Sequence, residues 1–156
     1  MATKIILLLT VIVYSIIAAQ SFMYIIALKN TQNSMGAGSY IELRKLLDTN
    51  FRANFTIVVY AALILNLLLL IFTIKSPGSI LFITAAIAFI LLVVDVVLTL
   101  KGNLPINDII NTWTPEQYPS NWKEYRAKWL DIFQYRQLAN ITGFLSLLAG
   151  AVFKSS

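Results

Sequence analysis

Three stretches leave this chain little freedom of folding: residues 5–28, 54–74 and 80–101 are almost wholly apolar. A bilayer core about 30 Å thick takes about 20 helical residues at about 1.5 Å each, so each run is long enough to cross one. Within lipid the backbone must satisfy its own hydrogen bonds, and unbroken runs of this length do so as helices. A soluble domain carries about 25% charged residues; here the fraction is 12%. The expectation is an integral, multi-pass membrane protein of one domain.

The first run follows Lys4. Read as a signal peptide its flanks fit poorly, because the apolar sequence continues to Leu28 and Ile17 stands where cleavage needs a small residue. It is expected to be a retained span, with Gln20 and Tyr24 one turn apart on one face near its end. Residues 29–38 are rich in Asn, Ser and Gly and read as a loop. Ser39 and Glu42 form an S-x-x-E capping box that starts the next helix. No Pro or Gly interrupts residues 39–73, so one long helix is expected to cross the membrane and project beyond it, with Asn50 and Asn54 as kink sites.

Residues 75–79 (Lys-Ser-Pro-Gly-Ser) are a tight turn that forces an antiparallel hairpin with the third span. That span carries Asp95. An ionised, lipid-facing carboxylate costs about 3 kcal/mol or more, so Asp95 should face the interior, be paired with Arg136 or Arg52, or be protonated. Thr99 and Asn103 continue its stripe. Gly102 is expected to cap the helix, with Pro105 shortly after.

Residues 103–140 are a polar and aromatic island: they hold all three Trp, three of the four Pro and four of the seven acids. Ile106, Ile109, Ile110 and Trp113 are spaced as one face of a short amphipathic helix. Residues 114–117 carry a second helix-start signature, Pro119 breaks it, and residues 121–124 supply a cap for the last helix. In that helix Trp122, Arg126, Trp129, Phe133, Arg136 and Asn140 are spaced 4, 3, 4, 3, 4 on one continuous face. The apolar run after Asn140 is too short to cross alone, so the fourth span must begin near residue 134 and end at 153, which puts Arg136 at the membrane boundary and Asn140 inside it. Trp113, Trp122 and Trp129 suit an interfacial belt. Trp129 also shares its face with Arg126 and Arg136, a setting for a flat or anionic ligand.

The predicted fold is all-α: an antiparallel four-transmembrane-helix bundle with spans at about 5–28, 54–74, 80–101 and 134–153, helices 2 and 4 extended beyond the bilayer, and short amphipathic helices between spans 3 and 4. Lys29, Arg44, Lys45, Arg52, Lys101, Lys123, Arg126, Lys128 and Arg136 fall on the side of the first and third loops, against Lys4, Lys75 and Lys154 on the other. Loops 1 and 3 are therefore expected in the cytoplasm and the chain in the cell (inner) membrane.

Net charge is +5. In this setting the cations flank spans and meet anionic headgroups, so membrane lipid is an expected partner and nucleic acid is not. The chain has no Cys and no His. That removes disulfides, thiol nucleophiles, His- or Cys-ligated zinc and His-ligated haem; no metal site and no cofactor is expected. Oligomeric state, a homo-oligomer included, stays open.

The run Asn103-Leu104-Pro105-Ile106-Asn107, then Trp113, then Trp122, Arg126, Trp129 and Arg136, resembles the signature of the anthrone oxygenase-like membrane proteins. Those are small four-helix chains with a Pro-Leu/Ile-Asn motif after the third span and a Trp, Arg, Trp, Arg run into the fourth. The layout matches over most of the chain, the specific residues only over 103–136. The resemblance implies an oxygenase working without a familiar metal or flavin on a planar phenolic or quinone-like molecule. Asn103, Asn107, Arg126, Trp129 and Arg136 match the motif as substrate-binding residues; Asn140 extends their face. Asp95, outside the motif, is the candidate catalytic base. Phe133 departs from the pattern, standing where many relatives carry His or Asn. The alternative is a non-enzymatic binder of a hydrophobic ligand or lipid, or a structural membrane protein.

Overall fold

A computed structural model describes residues 1–153, which form four long helices and no strand. They are α1 (Ala2–Ser34), α2 (Ala37–Thr73), α3 (Ile80–Asn111) and α4 (Trp122–Phe153). The first three are long and apolar enough to cross a membrane. Their outward residues are large and apolar: Leu8, Ile12 and Ile16 on α1, Ile57, Ile64 and Ile71 on α2, and Ile83, Ile87, Ile90 and Val94 on α3. Such faces are unstable in water and at ease in lipid. The fourth helix is less apolar because Arg136, Gln137 and Asn140 lie within it, and all three are buried against its neighbours. Lys154, counted above in the charge balance, lies outside the described residues.

Contacts fix the relative directions. On α1, Thr10 donates to Leu65 O (3.3 Å), whereas Tyr24 meets Arg44, so α1 and α2 run oppositely. Ser146 on α4 donates to Thr84 O (3.0 Å), Arg136 meets Asp95, and Asn103 donates to Trp129 O (2.9 Å), so α3 and α4 are also antiparallel. Between α2 and α3 the link is a tight turn: Ser76 N–H donates to Thr73 O (3.0 Å) and Ser79 N–H to Ser76 O (2.9 Å). Ser79 then caps α3 by accepting from Phe82 N–H at 3.2 Å.

Close approach depends on small residues. A Cβ on Gly143 would lie 2.1 Å from Tyr14 Oη, and one on Gly150 2.0 Å from Thr84 Oγ1. Gly102, expected as a helix cap, has a different role. A Cβ there would lie 2.7 Å from Ile132 Cγ2, and the helix does not end at Gly102 but continues to Asn111. Glycine at this position lets α3 lie against α4.

The core has two parts. One, built from residues such as Tyr14, Ile17, Leu69, Leu92 and Leu147, fills the centre of the apolar spans. The other is aromatic and lies at the opposite end of the bundle, with Tyr24, Tyr40, Trp113, Trp122, Trp129 and Phe133. The three tryptophans are thus 7%, 8% and 3% exposed in chain order. They pack inside the molecule instead of forming an interfacial belt, because the inward faces of α1, α2 and α3 all meet the aromatic face of α4 at this end.

Several local expectations are corrected. Residues 29–34 are helical, and the break is confined to Met35 and Gly36, whose ψ values are 143° and 167°. Thr31 and Ser34 bond back to Ala27 O and Thr31 O, which ties this polar turn into the helix. The second helix starts at Ala37 with no side-chain cap, so the S-x-x-E pair is not its start signal. The short amphipathic helix is present at Leu104–Asn111, joined without a break to the third span through Thr99–Asn103 as the end of α3, whereas residues 114–117 form a turn closed by reciprocal bonds between Thr114 and Gln117 (2.9 and 3.2 Å). By contrast α2 is continuous, in line with the absence of Pro and Gly from residues 39–73.

Each of the first three helices contains one five-residue π turn: Tyr24–Leu28, Phe51–Phe55 and Thr99–Asn103. The second follows Asn50, which donates to Leu46 O, and contains Asn54, which donates to Asn50 O. The third directly precedes Leu104-Pro105, where a regular helix would lose a hydrogen bond and clash with the ring. All three widen the backbone around the same cavity.

Candidate functional site

The π turns surround a cleft of about 280 Å³ between α2 and α3, floored by α1 and α4. From Asp95 to Asn107 it follows α3 for about 18 Å at about 1.5 Å per residue. One end is apolar, lined by Val59, Tyr60, Leu63, Val96 and Leu100. Tyr60 and Leu100 are 62% and 56% exposed on the outer surface, so this end opens sideways between the two helices. The other end is polar and aromatic, lined by Tyr24, Arg44, Asp48, Asn107 and Trp129.

Asp95 sits on the wall, 1% exposed. Arg136 reaches it from α4, with Nε 2.7 Å from Oδ1, and its Nη1 donates to Asn103 Oδ1 at 3.1 Å. Asn103 in turn donates to Trp129 O. One guanidinium therefore joins the buried carboxylate to an amide that anchors the α4 backbone. Arg52, the other candidate partner, is spent elsewhere: it pairs with Asp48 (2.9 Å) and Asp108 (2.6 Å).

A second network occupies the polar end. Asp48 accepts from Asn107 Nδ2 (2.7 Å), Asn111 Nδ2 (2.8 Å) and Arg52 Nε. Burial pushes its carboxyl up, but the bonds from Arg52, Asn111 and Asn107 outweigh this and hold it below the ordinary carboxylate range. Arg44, only 4% exposed, donates Nη1 to Tyr24 Oη and Nη2 to Asn107 Oδ1, each at 3.1 Å. Its guanidinium lies over the Trp129 ring, 3.9 Å from the centroid. Trp129 stacks on Phe133 (5.0 Å, 14°), and Phe133 packs on Tyr24 at 4.3 Å. Phe133 is thus a ring in this stack.

The structure brings Asp95, Asn103, Asn107, Trp129 and Arg136 to one cavity. It leaves out two residues chosen with them. Arg126 donates Nη1 to Gln32 O (2.8 Å) and Met35 O (3.0 Å) and lies over the Trp122 ring at 4.7 Å. It thus caps the carbonyl end of α1, where a cation is favoured, and does not line the cleft. Asn140 is buried one turn beyond Arg136, away from the cleft wall, with no partner for Oδ1 among the described residues.

Arg44 and Asp48 are the residues that sequence reasoning passed over. Both lie in the part of the long second helix that was expected only to project beyond the membrane. Tyr40, Ile41, Arg44 and Asp48 are all buried, and their spacing of 1, 3 and 4 marks one inward helical face. The arginine on Trp129 comes from this face of α2, not from α4. Among the described residues no three His, Cys, Asp or Glu side chains gather as a metal site.

Comparison with protein-family models, with curated proteins and with solved structures gives no match to this chain.

Proposed function

We propose that this chain is an antiparallel bundle of four membrane-spanning helices in the cell membrane, with α2 and α4 continuing past the bilayer at the aromatic end and that end in the cytoplasm. The excess of Lys and Arg around the first and third connections supports this orientation. On α4 the polar Arg136, Gln137 and Asn140 are buried while Leu138, Leu145 and Val152 face outward, which supports a fourth span. A tag on the N-terminus in sealed cells tests it: cleavage by external protease is expected, and protection would reverse the orientation.

In this setting the cleft admits a planar phenolic or quinone-like molecule sideways from the lipid, and the protein oxidises it as a cofactor-independent oxygenase of the anthrone oxygenase-like kind. One observation carries the reading: Asp95, Asn103, Asn107, Trp129 and Arg136 line the same cavity as the apolar, outward-opening residues of α2 and α3. For an anthrone-type substrate, Asp95 takes a proton from the ring methylene opposite the carbonyl. Its own neutralisation releases Arg136 to face the delocalised substrate anion. That anion adds molecular oxygen at the same carbon to form a peroxide, and Asp95 returns its proton to the outer oxygen. Loss of the remaining C–H proton with cleavage of the O–O bond then releases water and leaves a carbonyl, so one oxygen molecule supplies one carbonyl oxygen and one water.

A second reading is a binder of hydrophobic ligand or lipid without chemistry. It is favoured by the pairing itself: Arg136 already neutralises Asp95, and three donors fill Asp48. Purified protein in nanodiscs separates the two. Oxygen uptake with anthrone supports the oxygenase. A tightly held lipid, extracted with solvent, and no uptake above empty nanodiscs supports the binder.

A further inference from the structure

Arg44 is a buried cation without a counter-charge. Among the described residues the ion pairs join Arg52 to Asp48 and Asp108, and Arg136 to Asp95; no carboxylate lies within ion-pair distance of Arg44. Its Nε–H, although buried, has no acceptor among the described residues. Stripping a guanidinium of water without an anion is costly, and proteins rarely leave such a charge uncompensated.

Two further donors beside it are in the same condition. Trp129 Nε1–H has no acceptor among the described residues although the residue is 3% exposed. Tyr24 Oη accepts from Gln32 Nε2 (3.2 Å) and Arg44 Nη1. Its two lone pairs are therefore occupied, and the hydroxyl proton, bonded to nothing among these contacts, is left to donate. All three side chains line the cleft, at the end away from its apolar mouth.

We propose that Arg44, Trp129 and Tyr24 form an anion subsite that takes the single ionised oxygen of an amphiphile, whose apolar body lies along α2 and α3 toward Leu63. The polarity of the cleft sets the direction. Its charged end belongs to the part of α2 before the apolar span, and its apolar end lies within that span, so head and body of the ligand match membrane depth. This rests on the reading of the cleft as a ligand site open to lipid and narrows the ligand to an acid. Shape does not distinguish a lipid-type carboxylate from a phenolate, which share the ionised oxygen.

The test is equilibrium binding to the full chain in nanodiscs, against empty nanodiscs, with two matched pairs: oleate with oleyl alcohol, and 9-phenanthrol with its methyl ether. The acid of at least one pair is expected to bind at least tenfold more tightly than its neutral partner. Preference in the first pair identifies a lipid-type acid, in the second a phenol. Arg44→Gln should abolish the preference. Trp129→Phe, which keeps the stacked ring and removes one donor, should reduce it several-fold and serves if Arg44→Gln does not fold. Equal affinity within both pairs, or a preference untouched by Trp129→Phe, overturns the subsite. Acid preference without oxygen uptake keeps the subsite and removes the oxygenase; uptake without preference does the reverse.

Discussion

Arg136 Nε lies 2.7 Å from Asp95 Oδ1, joining α4 to α3 by an ion pair whose side chains are 10% and 2% exposed. Removing one partner leaves the other charge buried alone, a loss of about 3–5 kcal/mol. Asp95→Asn is therefore expected to lower the thermal midpoint in detergent strongly, and the double change Asp95→Leu with Arg136→Met to recover most of it. An Asp95→Asn protein that keeps its midpoint but loses turnover would assign the carboxylate to chemistry instead of the pair.

At Gly143 α4 lies against α1, with the Tyr14 hydroxyl in the space a Cβ would take. Gly143→Ala is expected to destabilise by about 1–3 kcal/mol through overpacking. Adding Tyr14→Phe removes the atom at 2.1 Å and should restore part of the loss, read as a positive coupling in a double-mutant cycle of thermal midpoints.

Arg126 caps α1 and stays outside the cleft. Arg126→Ala should cost about 1–2 kcal/mol and speed amide exchange at residues 29–36, with ligand affinity unchanged. A large fall in affinity without faster exchange would return Arg126 to the site, where its spacing on the face of α4 had suggested it.

Asp48 gives the pH dependence. Its carboxyl is held below the ordinary range in the folded chain, so it stabilises the fold above the unfolded value and loses that contribution as pH falls through the folded one. Stability should decline below about pH 4, and Asp48→Asn, already weaker at neutral pH, should show less of that decline.

These residues also show what the sequence made legible. The apolar runs and the tight turn placed the helices because length and periodicity are local properties. The regular spacing along α4 named a face that is in fact buried, and the cost of a charge in lipid identified Asp95 as needing a partner. Choosing Arg136 over Arg52 required knowing that Asp48 and Asp108 claim Arg52, a contact between segments 56 residues apart in one case. Gly102 and Arg126 were misread for a related reason. A glycine before a proline and an arginine beside tryptophan carry strong local meanings, whereas their roles come from Ile132 and from the end of α1. Arg44 stayed hidden because its stacking partner is on another helix.

The most direct test of the account is oxygen consumption by the protein in nanodiscs supplied with anthrone, measured beside Leu63→Trp, which fills the apolar end of the cleft. The prediction is one oxygen molecule consumed per anthraquinone formed, with at least a tenfold loss in Leu63→Trp at an unchanged thermal midpoint. Uptake no faster than in empty nanodiscs would contradict it.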